Sequence, residues 1–247
     1  MSARVGLALY TLREASAADF PGTLGAVADL GFEGVELHDL HGHPAHEVRG
    51  LLDELGLAAV SRHAGLDDLE HGLPALADEL GALGTDRLVL AWVDPPRGAA
   101  DAAATAARVA AIAEDAAALG LRLGFHNHWS ELEPLDDGST LLGRLAELPL
   151  WFEIDLGWVW VAGADPVEVV RGLGGRAEIV HVKDFRSRAG REFCPVGDGS
   201  VGYDRVLPTL ADGLEWLLVE QDETDGDALV AVERSLAAVR RFRAVPA

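Results

Sequence analysis

Four times the chain writes the same short phrase: Leu30-Gly31-Phe32, Leu55-Gly56-Leu57, Leu83-Gly84-Thr85 and Leu119-Gly120-Leu121. Each phrase follows an Ala- or Leu-rich helical pattern and precedes a short apolar run. Glycine just past a helix takes the left-handed conformation that closes it, so each phrase marks a helix-to-strand turn. The repeat distance of about 25 to 36 residues suits alternating strands and helices, not a solenoid built on a fixed motif.

The pattern predicts eight strands: Arg4–Tyr10, Phe32–Leu37, Ala58–His63, Arg87–Trp92, Arg122–His126, Leu150–Asp155, Glu178–Val182 and Glu215–Glu220. Helical patterns follow, clearest over Asp101–Leu119 and Asp227–Phe242. Another starts at Asp165-Pro166, an N-cap followed by proline in the first turn. Eight such units in one chain of 247 residues match an α/β fold, a single (β/α)₈ TIM barrel over residues 1–247 with no linker. A doubly wound open sheet is the competing architecture, but the first strand lacks a Gly-x-Gly-x-x-Gly turn.

Composition narrows the partners. A formal charge of −21 speaks against nucleic acid, because phosphate binding relies on clustered Lys and Arg. The single cysteine, Cys194, excludes an internal disulfide and a multi-cysteine zinc site, and reads as a structural thiol. No apolar run approaches the roughly 20 residues of a membrane helix. The stretch Met1-Ser2-Ala3-Arg4-Val5-Gly6-Leu7-Ala8-Leu9-Tyr10 lacks a signal-peptide core, so a cytoplasmic location is expected. A homo-oligomer stays open.

In such barrels chemistry gathers where the strands end. Those ends supply Glu36 with His38, His63, Trp92 with Asp94, His126 with His128, Asp155, His181 with Lys183, and Glu220. Alternation along a strand puts Glu36 with Gly34, His126 with Gly124, Asp155 with Glu153 and Glu220 with Leu218 on common faces. Asp155, His181 and Glu220 come from three consecutive strands. Mixed carboxylate and imidazole donors there suit one divalent cation, Mn²⁺ first, with Co²⁺, Mg²⁺ or Zn²⁺ as alternatives. His126 is the preferred fourth ligand and His128 the alternative. Glu36, His63, Trp92 and Trp158 are expected to touch substrate, with Trp160 a further ring that would pack on a sugar. His41, His43 and His46 read as a solvated turn. Lys183 is the only lysine among 20 basic residues. Two positions past His181, an ammonium with a tunable pKa is useful where a guanidinium is not. Its pKa is expected to be depressed by burial and a neighbouring cation.

Six segments carry a resemblance: Gly31-Phe32-Glu33-Gly34-Val35-Glu36-Leu37, Phe125-His126-Asn127-His128, Glu153-Ile154-Asp155-Leu156-Gly157-Trp158, His181-Val182-Lys183-Asp184, Pro195-Val196-Gly197-Asp198-Gly199 and Val219-Glu220-Gln221-Asp222. In these the chain resembles the xylose-isomerase-like barrel family of sugar phosphate isomerases/epimerases, which also includes inosose dehydratases and endonuclease IV. The resemblance implies a divalent metal held by a Glu-Asp-His-Glu set on successive strands. Asp155, His181 and Glu220 match its last three members, and His126 stands where the family's epimerases carry glutamate. Those epimerases use two glutamates as an acid/base pair, so the histidine departs from symmetrical two-glutamate epimerisation and moves toward the histidine-rich inosose dehydratase branch. The trinuclear site and basic DNA surface of endonuclease IV are not visible in the sequence, nor is a Gly-rich phosphate cradle.

The expected function is a divalent-metal-dependent sugar isomerase/epimerase of carbohydrate metabolism, acting through an enediolate on a small keto-sugar or polyol. Glu220 serves as base, and Lys183 or one of His126 and His128 as proton donor. The alternative is a lyase on a 3-keto-sugar or inosose. Behind these stand a metal-dependent hydrolase and a non-catalytic sugar-binding barrel.

Overall fold

Parallel strands covered by helices on one side and a barrel core on the other are buried on both faces, so they read as nearly unbroken apolar runs. The computed structural model describes residues 3–210 and 214–243, which leaves Met1 and Ser2 of the amino-terminal stretch outside the described residues. In it the runs become β1 (Arg4–Ala8), β2 (Gly34–Leu37), β3 (Ala58–Gly65), β4 (Arg87–Trp92), β5 (Arg122–His126), β6 (Trp151–Asp155), β7 (Ala177–Val182) and β10 (Trp216–Val219). A two-stranded antiparallel pair, β8 (Asp184–Phe185) and β9 (Phe193–Cys194), lies between the last two. The eight long strands close into a parallel barrel in the order β1-β10-β7-β6-β5-β4-β3-β2. The expected (β/α)₈ architecture is therefore the observed one.

Boundaries moved by a residue or two. Strand β1 stops at Ala8, because Leu9–Leu12 coils into a 3₁₀ turn that buries Leu9 and Leu12 three residues apart. This leaves Tyr10 exposed at the rim. The expected long helices run over Ala99–Ala118 and Ala228–Arg243. The helix Pro166–Gly172 is capped by Asp165, whose carboxylate accepts the N–H groups of Val167 and Glu168. Gly31, Gly56, Gly84 and Gly120 all carry the positive φ that the four Leu-Gly phrases call for. Among the described residues no helix is long and apolar enough to cross a membrane.

The barrel interior is layered. Val60, Val89, Trp151, Ile179, Trp216 and Leu218 form an apolar floor. Two glycines make room for its indole rings. A Cβ at Gly34 would come within 2.7 Å of the Trp216 ring, and one at Gly124 would collide with Trp151. Two residues further along each strand the apolar layer gives way to Glu36, His126, Glu153 and His181, all buried. The register sets His126 beside Glu153 and Asp155 beside His181. Packing thus delivers a polar layer on top of a dry one.

Past β7, Asp184 turns from the barrel as strand alternation requires. Its carboxylate accepts the N–H groups of Phe185, Gly197, Gly199 and Val201 at 2.9 to 3.2 Å. At Gly199 any Cβ would run into that carboxylate, which is why the loop carries glycine there. The Pro195–Gly199 segment is a loop latched by one buried acid.

Candidate metal centre

The site begins with the ends of β5, β6, β7 and β10. One donor atom from each of His126, Asp155, His181 and Glu220 lies within 4.8 Å of the other three. His181 Nδ1 stands 2.7 Å from Glu220 Oε2. Asp155 is fixed at both its backbone and its side chain: its N–H donates to Asn127 Oδ1 at 3.1 Å, and its carboxylate Oδ1 accepts the N–H of Trp158 at 2.7 Å. The other Asp155 oxygen, Oδ2, is buried without a hydrogen bond, as are His126 Nδ1 and His181 Nε2. Buried polar atoms are seldom left unpaired unless something else satisfies them. Two imidazoles and two carboxylates converging in one buried spot are what a borderline divalent cation takes, so the donor set fits the expected metal.

Beneath this set a second group shares two of its members. His63, His126, Glu153 and His181 also bring four donor atoms within 4.8 Å of one another. Glu153 Oε1 faces His63 Nε2 at 2.7 Å, His181 Nε2 at 3.1 Å and His126 Nδ1 at 3.3 Å. Glu36 Oε1 stands 3.0 Å from His63 Nε2 and 3.1 Å from His181 Nε2, while Ser61 donates to Glu36 Oε2 at 2.6 Å.

Charge in this layer is set by burial working against pairing. Burial raises the Glu36 carboxyl, but His63 and His181 outweigh it and hold the pKa well below the usual range. Glu153, buried and next to Glu36, is raised. Burial lowers His63 and His181, yet the two glutamates lift His63 to about 10 and, with Glu220, carry His181 well above its ordinary value. His126 has burial and neighbouring imidazoles against it and falls well below 6.5. Asp155 is pushed up to about 6 by burial, against the pull of Lys183.

Lys183 overturns one expectation. Its Nζ lies 2.8 Å from Glu220 Oε2, 2.8 Å from Asp222 Oδ1 and 3.2 Å from Asp155 Oδ2. Burial disfavours the ammonium, but Asp155, Asp222 and Glu220 together hold the pKa well above its ordinary value instead of depressing it. Tyr203 fixes the backbone at this point, donating from its hydroxyl to the Lys183 carbonyl at 2.7 Å and accepting the Lys183 N–H at 3.0 Å.

A cavity of about 600 Å³ opens above the cluster. Its wall includes His38, His63, His126, His128, Lys183, Glu220 and Asp222, with the rings of Tyr10, Trp92, Trp129, Trp158 and Phe193. Trp92 is 43% exposed at the mouth and meets the His128 ring edge-on at 4.6 Å. Trp158 is buried, with its Nε1 lacking a hydrogen bond. His128 Nδ1 is likewise unpaired, and burial together with Lys183 brings its pKa down to about 3. Glu36 lies below the cavity wall at 2% exposure, engaged by Ser61, His63 and His181. Trp160 faces elsewhere, under the Arg188 guanidinium. His41 occupies a turn at φ 52°, packed on Phe20 and His38. Cys194 is buried, and its thiol is pushed up to about 11 by burial. A larger recess, about 940 Å³, sits at the opposite end of the strands, where Arg87 pairs with Glu215 and Arg122 with Glu178. It contains no comparable donor cluster among the described residues.

The sequence assigned no role in the site to Glu153, Asp222, Asn127 or Ser61. Glu153 carried a usable signal: it sits two positions from Asp155 on the same strand, and so on the same inward face.

The family model of the xylose isomerase-like TIM barrel matches residues 24–242. The chain belongs to that family. This family member is 25% identical to an inosose dehydratase of Clostridium botulinum (strain Alaska E43 / Type E3) over 128 residues, or 44% of this chain. That match spans 43% of the relative, less than half its length. A sugar phosphate isomerase/epimerase from Parabacteroides distasonis superposes with a TM-score of 0.82 at 19% identity, covering 95% of this chain and 96% of the other. D-allulose 3-epimerase from Methylomonas sp. superposes at 0.73 with 16% identity and 98% of both chains covered. At such identities the likeness is one of fold.

Proposed function

We propose that this chain is a divalent-cation-dependent enzyme that isomerises or epimerises a small, non-phosphorylated keto-sugar or polyol. The observation that carries the reading is the convergence of one buried donor atom each from His126, Asp155, His181 and Glu220 beneath a cavity of about 600 Å³. A cation held by these four supplies Lewis-acid polarisation of a substrate carbonyl.

The chain's own groups do the rest. Burial would raise the Glu220 carboxyl, but Lys183 and His181 keep it ionised, so it accepts the proton from the carbon beside the carbonyl. Lys183, held as an ammonium by three carboxylates, places fixed positive charge where an oxyanion develops. His128 is neutral and offers a ring nitrogen to a substrate hydroxyl. Trp92 and Trp158 cover the apolar face of a ring and exclude water.

The acids on the cavity wall, Glu220, Asp222 and Glu223, all follow the end of β10. A proton removed and returned on one side gives isomerisation more directly than inversion of a carbon. The absence of phosphate from the substrate rests on charge. Lys183 is committed to three carboxylates, and the Arg13 guanidinium donates to the carbonyls of Tyr10 and Asp222.

The test is proton exchange. A panel of keto- and aldo-sugars, their phosphates and inososes, each with Mn²⁺, Co²⁺, Mg²⁺ or Zn²⁺ in deuterated water, is followed by proton NMR. Deuterium uptake beside the carbonyl with isomer or epimer formation is expected, and Asp155→Ala should abolish both cation binding and exchange. An unsaturated product would move the chain to the lyases. No exchange from any member, or exchange from sugar phosphates alone, would end the reading.

A further inference from the structure

A ligating imidazole needs one ring nitrogen bare and the other protonated, and a hydrogen-bond acceptor on the far side selects which is which. His181 presents Nδ1 to Glu220, a member of the upper donor set, and Nε2 to Glu153 and Glu36. His126 presents Nδ1 to Glu153. The same Glu153 oxygen therefore stands behind both imidazoles, at 3.3 and 3.1 Å, within reach of a proton from either although neither nitrogen makes a hydrogen bond as the side chains stand. We propose that Glu153 is the positioning residue of the metal centre: its carboxylate accepts the Nδ1–H of His126 and the Nε2–H of His181, leaving His126 Nε2 and His181 Nδ1 to hold the cation.

The placement follows from the fold. Glu153 lies on β6 two residues below Asp155, so one strand supplies a ligand and, on the same face, the carboxylate that orients two others. The register puts Glu153 directly beside His126. Its side chain is fully buried, so no water competes for these protons. Glu36 cannot replace it, because Glu36 reaches His181 and His63 but makes no contact with His126. His63 Nε2 hydrogen-bonds the same Glu153 oxygen, Oε1, at 2.7 Å and fixes the carboxylate in turn.

The rival is that the lower group, His63, His126, Glu153 and His181, is itself the cage. Two cations at once would require both shared rings to give up both protons, so the groups compete for a single ion. Only the upper group includes Glu220, which opens onto the cavity where a substrate oxygen has to arrive. Glu153 does not reach that wall.

The proposal rests on the reading that the cation sits among His126, Asp155, His181 and Glu220, and the experiment separates the two. Zn²⁺ is titrated calorimetrically into the chelated wild type, Asp155→Asn, Glu153→Gln and Glu153→Asp, and ¹⁵N shifts of the imidazole nitrogens are recorded on Zn²⁺-loaded wild type. We expect Asp155→Asn to lose binding and Glu153→Gln to bind about 10- to 100-fold more weakly, the usual effect of losing an outer partner. Glu153→Asp, which keeps the charge, should recover part of that loss. In the wild type the protonated nitrogens should be Nδ1 of His126 and Nε2 of His181, a readout that needs no variant to fold. If Asp155→Asn loses binding while Glu153→Gln keeps wild-type affinity, the positioning role falls and the site stands. The opposite protonation pattern in the wild type also removes the role. If Asp155→Asn binds normally, the site assignment fails, and abolished binding in Glu153→Gln would then make Glu153 a ligand of the lower cage.

Discussion

Replacing Lys183 by Met keeps the length of the side chain and removes its charge. Three carboxylates, two at 2.8 Å and one at 3.2 Å, then face each other in a pocket where the lysine itself is 1% exposed. At an effective dielectric of about 20 each lost contact is worth about 5 kcal/mol. The carboxylates would relieve most of that by taking up protons, so the net loss should be about 3–5 kcal/mol, the usual consequence of removing one partner from a buried ion pair. For a chain of this size that is a fall of roughly 6–20 °C in Tm. Because Asp155 and Glu220 are also proposed ligands, saturating Zn²⁺ should restore more stability to Lys183→Met than to wild type. The assay is thermal and urea unfolding with chelator and with Zn²⁺. A loss below about 1 kcal/mol in chelator, with an unchanged urea m-value, would show that the ammonium does not hold these acids together.

Cation affinity should rise with pH, because Asp155, with a pKa pushed up to about 6, and His181, with one well above its ordinary value, must both release protons to bind. Calorimetry at pH 7.5 in buffers of different ionisation enthalpy should show about one proton released, and none would contradict the assignment. With the metal chelated, the raised Asp155 favours the folded state below about pH 4, and that contribution fades as pH climbs through about 6. Asp184→Ala strands four backbone N–H groups, so it should cost about 2–4 kcal/mol and speed hydrogen exchange at Gly197, Gly199 and Val201; unchanged protection would deny the latch. Trp92→Ala should raise KM about tenfold with kcat nearly constant, since the ring lines the mouth without touching the donor cluster. A fall in kcat at constant KM would place Trp92 nearer the chemistry.

The barrel was legible because its punctuation is local: Gly31, Gly56, Gly84 and Gly120 each encode a helix end in a single residue. The convergence of His126, Asp155, His181 and Glu220 was legible because parallel strands all end at one rim, so order in the chain becomes adjacency in space. The polar layer below was not. Glu153 sits inside Trp151-Phe152-Glu153-Ile154-Asp155, where only the closed barrel shows that its face is shared with His63 and His181. The Lys183 pKa was read in the wrong direction because Asp222 lies 39 residues away, in a loop whose return to the lysine no local pattern announces. The short β8–β9 pair escaped notice because two residues per strand carry no period.

Lys183 is the chain's only lysine, and it is buried. No lysine amine is therefore presented to the solvent, and acylating reagents that normally decorate many lysines find one side-chain amine, and that one occluded. They reach it only when the cluster around Asp155, Glu220 and Asp222 comes apart, so the speed of that one modification measures how often the site opens. The same arrangement makes ordinary amine chemistry a built-in gauge of occupancy: any ion that ties Asp155 to Glu220 should slow the label in proportion to how tightly it binds.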